Sequence, residues 1–147
     1  MIKVKVKRLR DNATLPARAT EGSAGHDLYA AVEETLLIGP GEIVKVPTGW
    51  SIEIPSVELV GLVFARSGLS VKSGIVLANA VGVIDSDYRG ELLVALNNRS
   101  QKDYFVEPGD RIAQLVIVPI VCFAFEEAGG LGATQRSDGG FGSTGTR

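Results

Sequence analysis

The stretch Glu107-Pro108-Gly109-Asp110-Arg111-Ile112-Ala113-Gln114-Leu115-Val116-Ile117-Val118 passes from a turn into a run that is apolar and mostly branched, with a single amide in it. Such a run is short for a helix, and its branched side chains suit a pleated strand covered on both faces. Residues 57–64, 75–77 and 92–96 have the same character, so these segments are expected deep in the core. Strands with one wet face lie around them. Val4 and Val6 alternate with lysines, Ile43-Val44-Lys45-Val46 follows the turn Gly39-Pro40-Gly41, and Trp50-Ser51-Ile52-Glu53-Ile54 sends successive side chains to opposite faces. The 18 glycines and 6 prolines interrupt the chain too often for many helices of the usual ~11 residues. One short helix is expected near residues 67–72. Strands at this density, joined by Gly/Pro turns, predict an all-β fold, a jelly-roll-like sandwich or barrel, rather than alternating βαβ units.

At 147 residues the chain has the length of one domain, and its 45% hydrophobic and 22% charged residues are those of a packed globular protein. Fifteen Lys plus Arg against seventeen Asp plus Glu leave no positive field to hold nucleic acid or an anionic membrane. The single cysteine, Cys122, has no partner for a disulfide, and the single histidine, His26, excludes a three-histidine metal centre. Residues 1–7 alternate charged and apolar side chains, unlike a secretory signal; residues 115–125 are broken by Pro119 and fall short of the ~20 that span a bilayer. A soluble, cytoplasmic protein is expected. Lys3, Lys5 and Lys7 read as the wet face of a terminal strand, where lysines discourage edge pairing.

Polar groups recur at the ends of the apolar runs, where each must find a partner. Arg66-Ser67-Gly68 follows Val63-Phe64-Ala65; a guanidinium, a hydroxyl and exposed amides suit a phosphate cradle, and an arginine paired to a carboxylate beside a turn glycine would have the same sequence. Asn79-Ala80-Val81-Gly82-Val83-Ile84-Asp85-Ser86-Asp87-Tyr88-Arg89-Gly90 brings an apolar approach to a carboxylate at a hairpin mouth. There Asp85 is either a base at a pocket rim or an Asx-turn residue. A calcium loop counted from Asp85 fails, because its fifth position is Arg89 and its twelfth Leu96. Arg111 and Gln114 carry a guanidinium and an amide toward the core, as anion donors or as structural partners. Gly140-Phe141-Gly142-Ser143-Thr144-Gly145 matches G-x-G-x-x-G, but no strand leads into it and Thr146-Arg147 cannot build the helix a dinucleotide site requires. Residues 129–147 contain seven glycines. They form either a loose tail or an arm that closes over a phosphorylated base, with Phe141 stacking and amides and hydroxyls on phosphate.

Taken in order, these segments resemble the five motifs of the trimeric dUTPase family (deoxyuridine triphosphate nucleotidohydrolase). The motifs are Ala24-Gly25-His26-Asp27-Leu28-Tyr29-Ala30, Arg66-Ser67-Gly68-Leu69, residues 82–90, Gly109-Asp110-Arg111-Ile112-Ala113-Gln114-Leu115, and residues 136–145. Five ordered motifs are far more specific than any one of them. Ser137 stands where the family usually has glycine, and Ala65 where it commonly has proline. The resemblance implies a jelly-roll-like β-clip core over residues 1–135 and a C-terminal arm, residues 136–147, that closes over the site. It also implies a homotrimer whose active sites draw on all three subunits.

The implied reaction is hydrolysis of dUTP to dUMP and pyrophosphate by water attack on the α-phosphorus, which limits uracil incorporation into DNA and supplies dUMP for thymidylate synthesis. Mg²⁺ is held mainly by the triphosphate. By the same likeness Asp85 is the general base, with Gln114, Arg66, Ser67 and Gly68 around the phosphates and Arg136, Ser143 and Thr144 on the terminal phosphate. Backbone groups of Gly82, Val83, Ile84 and Leu93 read the uracil, Asn79 holds an ordered water, Tyr88 packs under the deoxyribose and Phe141 covers the base. Asp27 lies near the metal's water shell or has a structural hydrogen-bonding role, and His26 is a bystander. Two other readings are a dCTP deaminase of the same fold, which requires a glutamate-centred site, and a non-catalytic nucleotide-sensing or protein-binding module.

Overall fold

The computed structural model describes residues 2–140. Among them the chain forms eleven strands and a single short helix. The central sheet has the order β2-β11-β6-β8, from His26–Tyr29, Arg111–Pro119, Leu59–Phe64 and Gly82–Ile84, all antiparallel. A second sheet runs β4-β9-β7, from Ile43–Pro47, Leu93–Asn98 and Ile75–Leu77. Two ribbons complete the strands: β1 (Lys5–Arg8) with β5 (Trp50–Glu53), and β3 (Leu36–Ile38) with β10 (Tyr104–Val106). The sheets stay open, so the architecture is a sandwich-like clip and not a closed barrel. Leu28, Ile38, Ile75, Leu92, Leu96 and Ile112, contributed by both sheets and the ribbons, form one continuous core.

The long apolar runs are one-sided here, not covered on both faces as expected. β9 alternates buried with half-exposed residues, β6 leaves Leu59, Leu62 and Phe64 half-exposed beside buried Val60, Gly61 and Val63, and Val57 and Leu93 are exposed. Among the described residues no second layer lies over the outer face of these sheets. The opposite correction applies to β5. Trp50, Ser51 and Ile52 are all buried, because the turn after β8 covers the polar side and Ser51 Oγ donates to the Arg89 carbonyl at 2.8 Å. Trp50 is fixed in turn: its indole N–H donates to the Thr14 carbonyl at 2.8 Å, and the Arg8 guanidinium lies 4.6 Å above its ring.

The expected helix forms at Ser67–Ser73 (α1), ended by Gly74 in the left-handed region at φ +70°. A Cβ there would approach Ser100 Cβ to 3.0 Å, so glycine is required both for the turn and for the packing. After Pro119 the described chain runs on to residue 140 with no strand or helix. It leaves Val121, Phe123, Phe125 and Leu131 exposed. Among the described residues no helix is long and apolar enough to cross a membrane.

Asn98 is fully buried at the end of β9 and satisfies its whole amide. Its Nδ2 donates to the carbonyls of Ile38 (2.8 Å) and Lys102 (2.7 Å), and its Oδ1 accepts from the Ser100 amide (2.9 Å) and hydroxyl (2.8 Å). Removing it orphans buried backbone groups, so Asn98→Ala is expected to lower stability by about 3 kcal/mol in denaturant unfolding. A loss within experimental error would show that water replaces the amide at no cost.

Candidate active site

β8 is an edge strand. β6 pairs with it on one side, and the other edge presents unpaired backbone N–H and C=O groups, a template that can read a planar hydrogen-bonding ring. The turn entering it is tight, with the Val81 amide bonded to the Asn79 carbonyl at 2.6 Å and Ala80 held at φ +60°, a conformation costly for a residue with a Cβ. Gly82 is buried against Val63, and the Asn79 amide lies over it, 3.6 Å from where a Cβ would sit. Beyond β8 a small pocket of about 140 Å³ is lined by Val83, Ile84, Asp85, Tyr88 and Leu93, together with Glu91 and Leu92. Asp85 is exposed at its rim, directly after the last residue of β8. Val83, Ile84, Tyr88 and Leu93, named from the sequence for the base and sugar, therefore meet at one pocket, with Asn79 and Gly82 just behind.

A second pocket, about 280 Å³, is lined by Gly25, Asp27, Arg66, Ser67, Gly68 and Gln114, with Ala19, Ser23 and Ala24 on its wall. Its geometry follows from strand register. A β-bulge in β11 at Ile112 inserts one residue against β2, after which Gln114 stands opposite Asp27 on one side and Phe64 on the other. Ser67 and Gly68 open α1, so their amides have no acceptor within the helix. Asp27 is buried and accepts from both neighbouring guanidinium groups, Oδ1 from Arg66 Nε at 3.0 Å and Oδ2 from Arg111 Nη1 at 3.2 Å. Through these contacts the Asp27 carboxylate orients the arginines beside the pocket. Gln114 donates to the Ala65 carbonyl at 3.1 Å. Gly25 leaves room for that amide, since a Cβ at residue 25 would lie 2.8 Å from Gln114 Oε1.

The two pockets do not meet within one chain. Ile84 stands opposite Gly61 and Gln114 opposite Phe64, on the two flanks of β6. Three residues along that strand and two strand spacings across it separate them by about 14 Å, with Asp85 farther still. That spacing keeps the Asp85 carboxylate out of direct hydrogen-bond reach of the Gln114 amide of its own chain.

A family model described as dUTPase matches residues 11–145. The chain belongs to the dUTPase family. A deoxyuridine 5'-triphosphate nucleotidohydrolase of Desulfitobacterium hafniense is 52% identical over 146 residues, covering 98% of this chain and 97% of that one. The dUTPase of Staphylococcus bacteriophage 80alpha, solved with dUPNHPP, superposes with a TM-score of 0.88 at 31% identity over 97% of this chain and 98% of that one. A dUTPase from phage phi11 of S. aureus, in which a structural Mg(II) ion is coordinated, gives a TM-score of 0.80 at 28% identity, covering 89% and 99% of the two chains.

Among the described residues of this dUTPase-family chain, no group of three or more His, Cys, Asp or Glu side chains could hold a metal ion. Of the proposed arm residues, Arg136 is exposed and donates to the Gly139 carbonyl at 2.8 Å, while Phe141, Ser143 and Thr144 lie outside the described residues. Ser137 adopts φ +48°, the left-handed region that explains why the family's usual residue there is glycine. His26 lines an apolar groove with Val4, Val6 and Leu115, and this groove shares Ala24 with the cradle pocket.

Sequence reasoning missed Glu91 and Arg10. Glu91 Oε1 accepts from Arg10 Nε at 2.7 Å and from the Gly49 amide at 2.9 Å, and Oε2 accepts from Arg10 Nη2 at 3.1 Å. No local signal could have found a pair 81 positions apart. The hydrogen bond from Arg10 holds the Glu91 carboxyl below the usual carboxylate range; partial burial opposes this and the Gly49 amide adds to it. Arg10 is raised by the same contact. A depressed carboxyl stabilises the fold above its unfolded pKa, and that contribution disappears as pH falls through the folded value. Unfolding measured against pH is therefore expected to show wild type losing stability in the acid range more steeply than Glu91→Gln, with the two curves converging at low pH. Parallel curves would mean that the pair is not formed in solution.

Proposed function

We propose that this chain hydrolyses dUTP to dUMP and pyrophosphate in sites shared between the subunits of a homotrimer. The observation that carries this reading is Asp85 at the rim of a small pocket beside the unpaired edge of β8, where a pyrimidine can be read by backbone groups. Val83 and Leu93 narrow that pocket against a 5-methyl group, and the Tyr88 ring supports the deoxyribose where a 2′-hydroxyl would collide. Gln114, Arg66 and the amides of Ser67 and Gly68 bind the phosphates from a neighbouring subunit, since one chain's own cradle lies too far from its Asp85. The arm, through Arg136, Ser143 and Thr144, closes on the terminal phosphate, and Phe141 covers the base. The core–arm division at residue 135 belongs to the same reading.

Asp85 accepts a proton from water as the oxygen attacks the α-phosphorus, and pyrophosphate leaves in line. Positioning matters more here than basicity, because an exposed carboxylate becomes an effective base once the arm and substrate exclude bulk water. Arg66 enters pre-oriented, its Nε on Asp27 and its Nη1 on the Arg111 carbonyl at 3.3 Å, so no side chain has to be ordered when negative charge spreads over the phosphate oxygens. Mg²⁺ enters as part of the substrate, bound to the triphosphate oxygens. The cytoplasm is the compartment that suits the exposed free thiol of Cys122.

Incubation with dUTP in the presence of Mg²⁺ is expected to release pyrophosphate and dUMP; ammonia from dCTP without pyrophosphate from dUTP would reject the reading in favour of a deaminase. Asp85→Asn is expected to slow turnover more than about a hundredfold while dUTP still binds, and near-normal turnover would remove the base assignment. Shared sites make a further demand. Asp85→Asn and Gln114→Ala chains, each inactive alone, are expected to regain activity when refolded together, since about a quarter of mixed sites then hold both native groups. A mixture as inactive as its components, in trimers shown by sedimentation to have exchanged, would place the whole site on one chain.

A further inference from the structure

The Tyr88 ring is held in place by its own turn. Its hydroxyl donates to the Glu91 carbonyl at 3.0 Å, folding the ring back over Gly90, where a Cβ would lie 2.3 Å from the phenol oxygen and 2.6 Å from Cζ. Ring position therefore follows the backbone of residue 91. That backbone is anchored by the Glu91 side chain, whose two oxygens take both prongs of the Arg10 fork and the Gly49 amide. The next residue closes the frame: the Leu92 amide donates to the Trp50 carbonyl at 2.8 Å, and the Leu92 carbonyl accepts from the Thr48 amide at 3.1 Å and hydroxyl at 2.8 Å. Gly49 cannot shift to relax this arrangement. It sits at φ +74°, and a Cβ there would lie 2.4 Å from Ala13 Cβ. The loop bearing Arg10, the turn at residues 48–49 and the turn bearing Tyr88 are thus a single block.

We propose that the Arg10–Glu91 pair is a positioning device for sugar recognition: it sets where the Tyr88 ring lies against the deoxyribose, and so how strongly the enzyme refuses a 2′-hydroxyl. The inference rests on the dUTP reading above. The Arg10 side chain is 43% exposed and that of Glu91 19%, so solvent screening keeps the pair's contribution to folding modest. Its bidentate geometry is instead a directional restraint, because the planar fork fixes the carboxylate in angle as well as distance. Glu91 also lines the same pocket as Asp85 and Tyr88, so any rotation of its backbone moves the pocket wall and the ring together.

The test is steady-state kinetics with dUTP and UTP on full-length wild type and on Arg10→Ala, Arg10→Lys, Glu91→Gln and Tyr88→Ala, with Arg10→Ala also made in the Tyr88→Ala background. Arg10→Ala and Glu91→Gln are expected to reduce the dUTP/UTP ratio of kcat/KM about tenfold, with KM for dUTP rising more than kcat falls. Arg10→Lys, which keeps the charge and loses the fork, falls between them and wild type. In the Tyr88→Ala background Arg10→Ala has no further effect on the ratio, the coupling a merely structural role would not produce. The proposal is overturned if folded single variants keep the wild-type ratio, or if Arg10→Ala lowers it equally with and without Tyr88. Should Arg10→Ala fail to fold, the near-isosteric Glu91→Gln decides by the same criterion. Wild type that does not hydrolyse dUTP would bring down the substrate reading and this one together. Wild type that prefers dUTP while the variants do so equally would remove the positioning role alone.

Discussion

β6 is hydrogen-bonded to β11 along one edge and to β8 along the other, and both pockets take their place from that pair of registers. Side chains alternate with a period of two, so a slip of one residue would turn Val63 out of the core and move Gln114 off the row it shares with Asp27 and Phe64. The bulge at Ile112 belongs to the same constraint. It lets β11 match β2 before and after the inserted residue, and it aims Gln114 at the phosphate cradle while Ile112 and Ala113 stay buried.

The same strand that aligns the two pockets also holds them apart. On the dUTP reading proposed above, the base at the end of β8 and the cradle at the start of α1 act on one nucleotide across a boundary between chains, since the sheet holds its opposite flanks apart. The exposed outer faces of β8 and β9 and the apolar, unpaired segment after Pro119 fit such an assembly. The cradle is preorganised independently of it. Asp27 neutralises one of two guanidinium charges and fixes both in direction, leaving a net positive site with little rearrangement to make when phosphate arrives.

Much of this was legible in the chain. The β-rich class, the one short helix at Ser67 and the left-handed glycine turns follow from local preferences that act over a few residues, and these need no knowledge of distant partners. The clustering of Val83, Ile84, Asp85 and Tyr88 was equally accessible, because a strand and the turn after it hold neighbours in sequence close in space. Burial on β5 and on the long apolar runs was misjudged. Periodicity reports which side chains share a face, but not what lies over that face.

Residue type and order by themselves determined the fold class, the five motif segments and the kind of chemistry each could support, since hydrogen-bonding capacity, charge and backbone freedom are carried by each residue wherever it goes. Only the tertiary structure decided that Asp27 orients two arginines, that Arg10 and Glu91 meet behind Tyr88, and that base and cradle stand on opposite flanks of one sheet. These are relations between positions tens of residues apart, and they exist only once strand register has set the distances.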